Sequence, residues 1–264
     1  MPFFADYHMH SHHSFDAHFP VRDMAEAAVR AGLEEICFTN HIDFEDPEYA
    51  DRPADLAAQK QEIDAAAAAL PITILHGAEI GLSPDQAISD TSYNYIKDAG
   101  LDFIIGSVHM VAGQNTYVPP YFEHRSREEA YTAYVAEIGR AIRTLPCACT
   151  LGHYDFVTKR APYENRPLRY QDAPDAFDSL LRYLAQNGKA MEINTSAWWD
   201  EPAWGLDVLR RFRELGGEYV TFGSDAHKPE NVGRRLEEAR ALAKEAGIRY
   251  TARFRQLKPE FILL

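Results

Sequence analysis

The sequence predicts an α/β fold in which parallel βα units close into a barrel. Short apolar runs alternate with helical segments along the 264-residue chain, and this alternation is typical of a parallel sheet with crossover helices. About seven such units are present, which favours a barrel-like closure with right-handed crossovers. Candidate metal-ligating side chains end or follow several apolar runs, at the edge where such barrels carry their active sites.

The predicted strands are short apolar runs followed by polar residues. They cover residues 3–7, 35–39, 72–79, 103–108, 149–152, 190–194 and 219–223. The predicted helices cover residues 21–31, 54–70, 126–143, 173–186, 206–215 and 232–246. Several of these helices stop at a glycine or a proline, as at Gly32 and Pro71, because such residues end helices.

The composition is that of an ordinary globular protein, and it excludes some functions. No linker, repeat or low-complexity stretch interrupts the chain, so one domain is expected over residues 1–264. The formal net charge of −13 disfavours binding to long nucleic acid or to an anionic membrane, since both require a basic surface. No apolar stretch approaches the roughly 20 residues of a membrane span. The first residues do not read as a signal peptide, and three cysteines cannot form a disulfide framework, so a cytoplasmic location is expected.

Two pairs of potential ligands stand near opposite ends of the chain. His8 and His10 lie at the end of the first apolar run, and Asp225 and His227 follow the last. On an extended backbone, residues two positions apart face the same side. Each pair can therefore direct both side chains at one point.

Four further candidates, His41, Glu79, His109 and His153, end or directly follow apolar runs between these pairs. Imidazole and carboxylate ligands together suit zinc, manganese or iron. The two oxygens of Glu79 can bridge two ions, and neighbouring ions lower the pKa of a shared water. The set predicts a polynuclear metal site suited to phosphoester hydrolysis. The remaining histidines include His12, His13, His76 and His124, and these are interpreted as structural residues.

Six segments resemble, in the same order, motifs of the polymerase and histidinol phosphatase (PHP) superfamily. The segments are residues 6–16, 39–41, 77–80, 106–109, 151–155 and 223–227. The resemblance thus spans nearly the whole chain. The chain length and the segment Met-Glu-Ile-Asn-Thr-Ser at 191–196 are most similar to the histidinol-phosphatase branch.

This resemblance implies a distorted (β/α)7 TIM-like barrel, the PHP fold, with three divalent ions (zinc, manganese or iron). The first ion would bind His8, His10, Glu79 and Asp225, the second Glu79, His109 and His153, and the third Asp16, His41 and His227. The spacing of Asp16 departs from that of many family members, and His13 or His18 stands as an alternative ligand.

The hypothesis is that the protein hydrolyses L-histidinol phosphate to L-histidinol and phosphate, in histidine biosynthesis, by attack of a metal-bound hydroxide. The leaving alcohol would take its proton from a metal-bound water, His18 or Asp155. Lys159 and Arg160 are candidates for phosphate binding, since a guanidinium grips phosphate in a bidentate manner. Trp198, in a loop that holds all three tryptophans, is a candidate for stacking on an imidazole ring.

Other functions remain open at this point. A PHP-type enzyme could act on a nucleotide, a sugar phosphate or a short oligonucleotide end. A non-catalytic domain would be expected to have lost ligands, whereas this set looks complete. A metal hydrolase of the amidohydrolase type would need a bridging lysine at a strand end, and no lysine stands at such a position. The oligomeric state is left open.

Overall fold

A computed structural model describes residues 3–196 and 205–264 of the chain. Within these residues the strands are β1 (Ala5–Met9), β2 (Glu35–Phe38), β3 (His41–Ile42), β4 (Thr73–Gly81), β5 (Phe103–Ser107), β6 (Met110–Val111), β7 (Gln114–Asn115), β8 (Thr150–Leu151), β9 (Ala190–Asn194), β10 (Tyr219–Gly223), β11 (Tyr250–Arg255) and β12 (Lys258–Leu263). The α-helices are α1 (Val21–Arg30), α2 (Leu56–Ala69), α3 (Gln86–Ile96), α4 (Arg127–Ala141), α5 (Pro174–Gln186), α6 (Leu206–Glu214) and α7 (Leu236–Glu245).

Seven parallel strands form the wall of a barrel. Their order is β1-β2-β4-β5-β8-β9-β10, and the short β3 extends the pairing along β4. The ring closes where Met9 and Ala226 form a parallel bridge just beyond β10. The backbone N–H of Asp225 donates to His8 O at 2.8 Å, and that of His10 donates to Ala226 O at 2.9 Å. The α/β class and the seven parallel strands are thus as predicted, and the contact between the first and last of them is compatible with the predicted barrel.

The first strand lies about two residues further along the chain than predicted. It covers Ala5–Met9 rather than residues 3–7, and all five of its side chains are buried. Its pairing with β2 is irregular between Asp6 and Met9. As a consequence, His8 lies inside the strand and His10 directly after it.

The helix α3 was not predicted, because its sequence lacks an apolar stripe. Its buried face consists of Ser89, Ser92 and Ile96, so the hydrophobic period that identifies a surface helix is nearly absent. The helix begins at Asp85, whose carboxylate accepts a hydrogen bond from the backbone N–H of Ala87 at 2.9 Å. This N-cap and the need for a crossover between β4 and β5 define the helix.

The C-terminal hairpin of β11 and β12 was also missed. Its two-residue turn places Gln256 and Leu257 at φ values of 50° and 66°, a conformation usually taken by asparagine and glycine. Asp102 supports the turn, because its carbonyl accepts from Leu257 N at 2.9 Å and its carboxylate from Gln256 N at 3.2 Å. The hairpin crosses the amino end of the barrel, where Phe254 packs on the rings of Tyr7 and Phe103.

The six predicted helices are present, each within a few residues of the predicted bounds. In α1, for example, Val21, Met24, Ala25 and Ala28 are buried, at the spacing of one helical face. In α4, Ser126 and Glu129 form a capping box at the first turn. No helix among the described residues is long and apolar enough to cross a membrane.

Candidate metal centre

A cavity of about 560 Å³ opens at the carboxyl end of the barrel strands. The polar residues that line it are Asp16, His41, Asp43, Asp46, Glu79, His109, Asn115, His153, Lys159, Arg160, Ser196, Asp225 and His227. This is the end of a parallel barrel at which loops after the strands build active sites. The buried Glu79 in β4 lies at the centre of the histidines and carboxylates.

One oxygen of Glu79 faces the histidine pair at the end of β1. Its Oε2 lies 3.0 Å from His8 Nε2 and 3.5 Å from His10 Nε2. Asp225 joins them, with its Oδ1 at 3.3 Å from His10 Nε2 and 3.6 Å from His8 Nε2. Asp225 holds this position with φ 53°, a left-handed conformation that aspartate tolerates better than most residues. The two predicted pairs therefore meet across the closure of the barrel.

The other oxygen of Glu79 faces two histidines from the opposite wall. Its Oε1 lies 2.8 Å from His153 Nε2 and 3.4 Å from His109 Nε2. These histidines follow β8 and β5 respectively. Glu79 thus stands between two sets of donor atoms, as a bridging carboxylate would.

A third group lies at the cavity mouth. Asp16 Oδ2 is 3.0 Å from His227 Nε2 and 3.6 Å from His41 Nε2. The His10 ring stacks on both His41 and His227, with centroids 4.5 and 4.2 Å apart. His13 and His18 do not line the cavity, so Asp16 is the residue of this loop that faces His41 and His227.

The donor set fits divalent metal ions. Burial, with His227 and His41 nearby, lowers the pKa of His10 to about 3, which keeps the ring neutral. Burial raises the pKa of Glu79, but His8 and His41 outweigh it and lower that pKa well below its usual range. Buried His10 Nε2 has no hydrogen-bond partner in the described part of the chain. Burial lowers the pKa of His8, His41 and His109, but neighbouring carboxylates outweigh it and raise that pKa well above its usual value, so these rings would release a proton on binding an ion. Neutral imidazoles beside ionised carboxylates are the species that ligate zinc, manganese or iron.

Two carboxylates that the sequence reasoning missed orient the ligand histidines. Glu192 in β9 accepts from His8 Nδ1 at 2.7 Å and from the backbone N–H of His153 at 2.7 Å. Asp43 Oδ2 lies 3.3 Å from His41 Nδ1 and 3.4 Å from His109 Nδ1. Partners of this kind fix the tautomer and orientation of a metal-binding imidazole. In the sequence, Glu192 could have been identified as a carboxylate within an apolar run, whereas Asp43 does not directly follow such a run.

His10 is oriented by a hydroxyl rather than a carboxylate. Ser14 Oγ lies 3.0 Å from His10 Nδ1 and also accepts from the backbone N–H of His41 at 3.1 Å. The Ser14 hydroxyl donates to Asn40 Oδ1 at 2.9 Å. The loop after β1 is therefore tied to the segment between β2 and β3.

The two basic residues predicted to bind phosphate occupy different positions. Lys159 Nζ lies 2.6 Å from Asp225 Oδ2 and is largely buried beside the cavity. Arg160 is exposed at the rim with its guanidinium 4.6 Å from the centre of the Tyr117 ring. Among the described residues, no carboxylate pairs with Arg160.

The predicted proton donors do not line the cavity. His18 is exposed, because the chain turns Phe15 and Asp16 inward before it. Asp155 is buried, and both of its carboxylate oxygens lack a hydrogen-bond partner in the described structure. Burial raises the pKa of Asp155 to about 7. Trp198 lies outside the described residues, so its predicted role stays a prediction.

Aromatic pairs form two walls of the cavity. Phe15 and Tyr49 stack with centroids 3.8 Å apart and an interplanar angle of 4°. Tyr117 and Phe156 stack at 5.6 Å on another side. A ring-containing ligand would meet flat apolar surfaces on either side of the polar centre.

Comparison with known proteins gives the family. Residues 6–196 match the PHP domain. The histidinol-phosphatase of Lactococcus lactis subsp. lactis (strain IL1403) is 32% identical over 96% of this chain and 95% of that protein. The DNA polymerase/3′-5′ exonuclease PolX of Bacillus subtilis (strain 168) is 32% identical over 85% of this chain but 34% of the polymerase.

A solved structure agrees over almost the full length. It is histidinol phosphate phosphatase from Lactococcus lactis subsp. lactis Il1403, complexed with zinc, L-histidinol and phosphate. Its TM-score is 0.90 at 32% identity, and the match covers 97% of this chain and 98% of that one. The resemblance found in the motifs is confirmed, and the chain belongs to the PHP domain family, in its histidinol-phosphatase-like branch.

Proposed function

We propose that this protein is a metal-dependent phosphomonoesterase that hydrolyses L-histidinol phosphate to L-histidinol and phosphate. The observation that supports it most is the arrangement of imidazoles and carboxylates on both oxygens of the buried Glu79. The substrate is suggested by the similar Lactococcus protein, whose structure holds zinc, L-histidinol and phosphate. The reaction would serve histidine biosynthesis in the cytoplasm.

Three ions are proposed, with zinc, manganese and iron as the candidates. The proposed ligands are His8, His10, Glu79 and Asp225 for the first ion, Glu79, His109 and His153 for the second, and Asp16, His41 and His227 for the third. Divalent ions there would act as Lewis acids on phosphate oxygens and lower the pKa of water. Glu192 and Asp43 would hold the imidazoles in the tautomer that presents a lone pair to the cavity.

Arg160 and Lys159 are assigned different roles in this proposal. Arg160, which has no carboxylate partner among the described residues, is assigned to grip the phosphate through two N–H groups. Lys159 instead holds the second oxygen of Asp225 at 2.6 Å, so that Asp225 keeps its Oδ1 directed at the histidine pair. Neutralisation of the carboxylates by Lys159 also favours an anionic substrate.

The aromatic walls suit the organic part of the substrate. The imidazole of L-histidinol phosphate can stack on Tyr117 and Phe156, or on Phe15 and Tyr49, which face the same cavity. Stacked aromatic pairs add about 0.5–1.5 kcal/mol beyond the buried area. A sugar phosphate has no aromatic ring to form such a pair, so substrates with an aromatic ring should be preferred.

A second candidate is hydrolysis at a short oligonucleotide end or of a nucleotide. The similarity to the Bacillus polymerase/exonuclease over 85% of this chain favours it. The net charge of −13 disfavours long nucleic acid, but an exposed terminal phosphodiester would need only the cavity and its rim.

Phosphate release tests these functions directly. Purified protein is reconstituted with manganese, zinc or iron and offered L-histidinol phosphate, mononucleotides, a short oligonucleotide and an aryl phosphate. We expect a strong preference for L-histidinol phosphate that a chelator abolishes. Preference for the nucleotide substrates would support the second candidate, and inactivity with every metal would contradict both.

A further inference from the structure

A second cluster of potential ligands lies outside the cavity. His12 Nε2 is 2.8 Å from Glu62 Oε1, and His13 Nε2 is 3.3 Å from the same oxygen. One donor atom from each of the three residues lies within 4.8 Å of the other two. None of the three lines the cavity, so this cluster is separate from the centre around Glu79.

The cluster joins two elements that the chain places far apart. His12 and His13 belong to the loop after β1, and Glu62 lies in the middle of α2. The His12 and His13 rings meet edge to face, with centroids 4.6 Å apart. Both Nε2 atoms can lie beside one carboxylate oxygen because residues 12 and 13 form a turn, which the Ser14 N–H closes by donating to Ser11 O at 2.8 Å.

His13 provides independent evidence that this cluster could bind a cation. Its side chain is 10% exposed, and its buried Nε2 has no hydrogen-bond partner among the described residues. Leaving such a nitrogen unsatisfied costs free energy. A cation placed between Nε2 and Glu62 Oε1 would satisfy this atom and remove the cost.

We propose that His12, His13 and Glu62 form a further divalent transition-metal site, of the class that binds zinc. Two imidazole nitrogens and one carboxylate oxygen form a donor set that suits zinc and disfavours magnesium or calcium, which take mainly oxygen ligands. The His12 and Glu62 side chains are 40% and 38% exposed, so water can complete the coordination. This revises the sequence interpretation of His12 and His13 as structural residues.

An ion at this site would affect the loop after β1 without contacting substrate. Two and three residues after His13, this loop places Phe15 and Asp16 at the cavity. An ion at the cluster would anchor this loop to α2. The inference does not depend on the proposed function, because the cluster shares no residue with the centre around Glu79.

Zinc stoichiometry tests the proposal. The metal-loaded enzyme is dialysed against rising free zinc, and bound ions per chain are measured by elemental analysis. We expect the wild type to bind one more zinc than His12→Gln and Glu62→Gln, or to bind it more than 100-fold more tightly, since loss of a ligand should exceed the roughly 10–100-fold effect of losing an outer partner. Asp64→Asn is the matched control, because it removes an exposed carboxylate from the same helix.

Thermal unfolding gives a second readout. Zinc beyond the amount that fills the catalytic centre should raise the melting temperature of the wild type and of Asp64→Asn, and should raise that of Glu62→Gln less, because the ion binds the folded state. Equal zinc content and equal melting shifts in all four proteins would overturn the proposal and leave a plain hydrogen-bonded cluster. Phosphatase activity does not decide the matter, since both His12 and Glu62 lie outside the cavity.

Discussion

The two ends of the barrel bury polar side chains to a similar depth but satisfy them differently. At the amino end, Glu35 accepts hydrogen bonds from the Tyr7 hydroxyl and from Arg255 Nη2 at 2.6 Å. Tyr7 Oη in turn accepts from the backbone N–H of Phe254 at 3.1 Å. At the carboxyl end, His10 Nε2 is buried without a hydrogen-bond partner in the described residues.

This difference indicates that the amino end of the barrel contributes to stability and that the carboxyl end contributes to function. A buried polar atom left unpaired costs about 1–3 kcal/mol, so the hydrogen-bonded amino end stabilises the fold. The carboxyl end carries that cost because its nitrogen and oxygen atoms are positioned for ions and substrate. Strand β1 serves both ends, with Tyr7 in one network and His8 in the other.

The largest effect should come from Glu79 at the carboxyl end. Glu79→Gln removes the negative charge shared by two proposed metal positions, so activity should fall on the order of 1000-fold or more, with loss of bound metal. Elemental analysis and steady-state kinetics measure this. Glu137→Gln is the control, since Glu137 is also buried but lies in α4, away from the cavity. Substantial activity with full metal content in Glu79→Gln would refute the bridge.

A smaller loss is expected from Glu192, which touches ligands rather than the cavity. Glu192→Gln weakens the hydrogen bonds to His8 and His153, and metal affinity or activity should fall roughly 10–100-fold. Excess metal in the assay should restore part of the activity. If metal affinity and activity equal those of Glu137→Gln, Glu192 does not orient the ligands.

The Arg160→Ala variant tests whether the cavity rim at the carboxyl end of the barrel binds phosphate. Arg160→Ala should lower kcat/KM for phosphomonoesters roughly 10- to 30-fold, because a charge-assisted hydrogen bond to phosphate is lost. Metal content should not change. Arg249→Ala is the matched control, as Arg249 also lies over a tyrosine ring, that of Tyr250. Unchanged kinetic constants in Arg160→Ala would show that Arg160 does not bind the phosphate of the substrate.

A substitution at the amino end of the barrel should lower the stability of the protein and leave its activity unchanged. Tyr7→Phe deprives Glu35 of one donor and Phe254 N of its acceptor, which should lower the free energy of unfolding by about 2 kcal/mol. Chemical denaturation measures the loss, and activity of the folded protein should be unchanged. Tyr250→Phe is the control, since no hydrogen bond of its hydroxyl is found in the described structure. A large loss of activity in Tyr7→Phe would contradict the division between the two ends.

Local patterns in the sequence were informative where each element has its own signal. The periodic helices such as α1 and α5 were predicted because their buried faces are apolar. Helix α3 was missed because serines occupy its buried face. The C-terminal hairpin was missed because Gln256 and Leu257 adopt a turn that their residue types do not indicate.

The sequence by itself determined the family, the barrel class and the candidate ligands at strand ends. It could do so because parallel strands present their carboxyl ends at one edge, whatever the details of the loops. His8, Glu79, His153 and Asp225 are separated widely along the chain and yet lie within a few ångströms of one another.

Only the tertiary structure determined which of these residues contact one another. It determined which imidazole faces which oxygen of Glu79, that Lys159 pairs with Asp225 while Arg160 stays at the rim, and that Glu192 supports His8 across 184 positions of sequence. Strand register and barrel closure determine such contacts. Because both depend on the packing of the whole chain, no local pattern in the sequence encodes them.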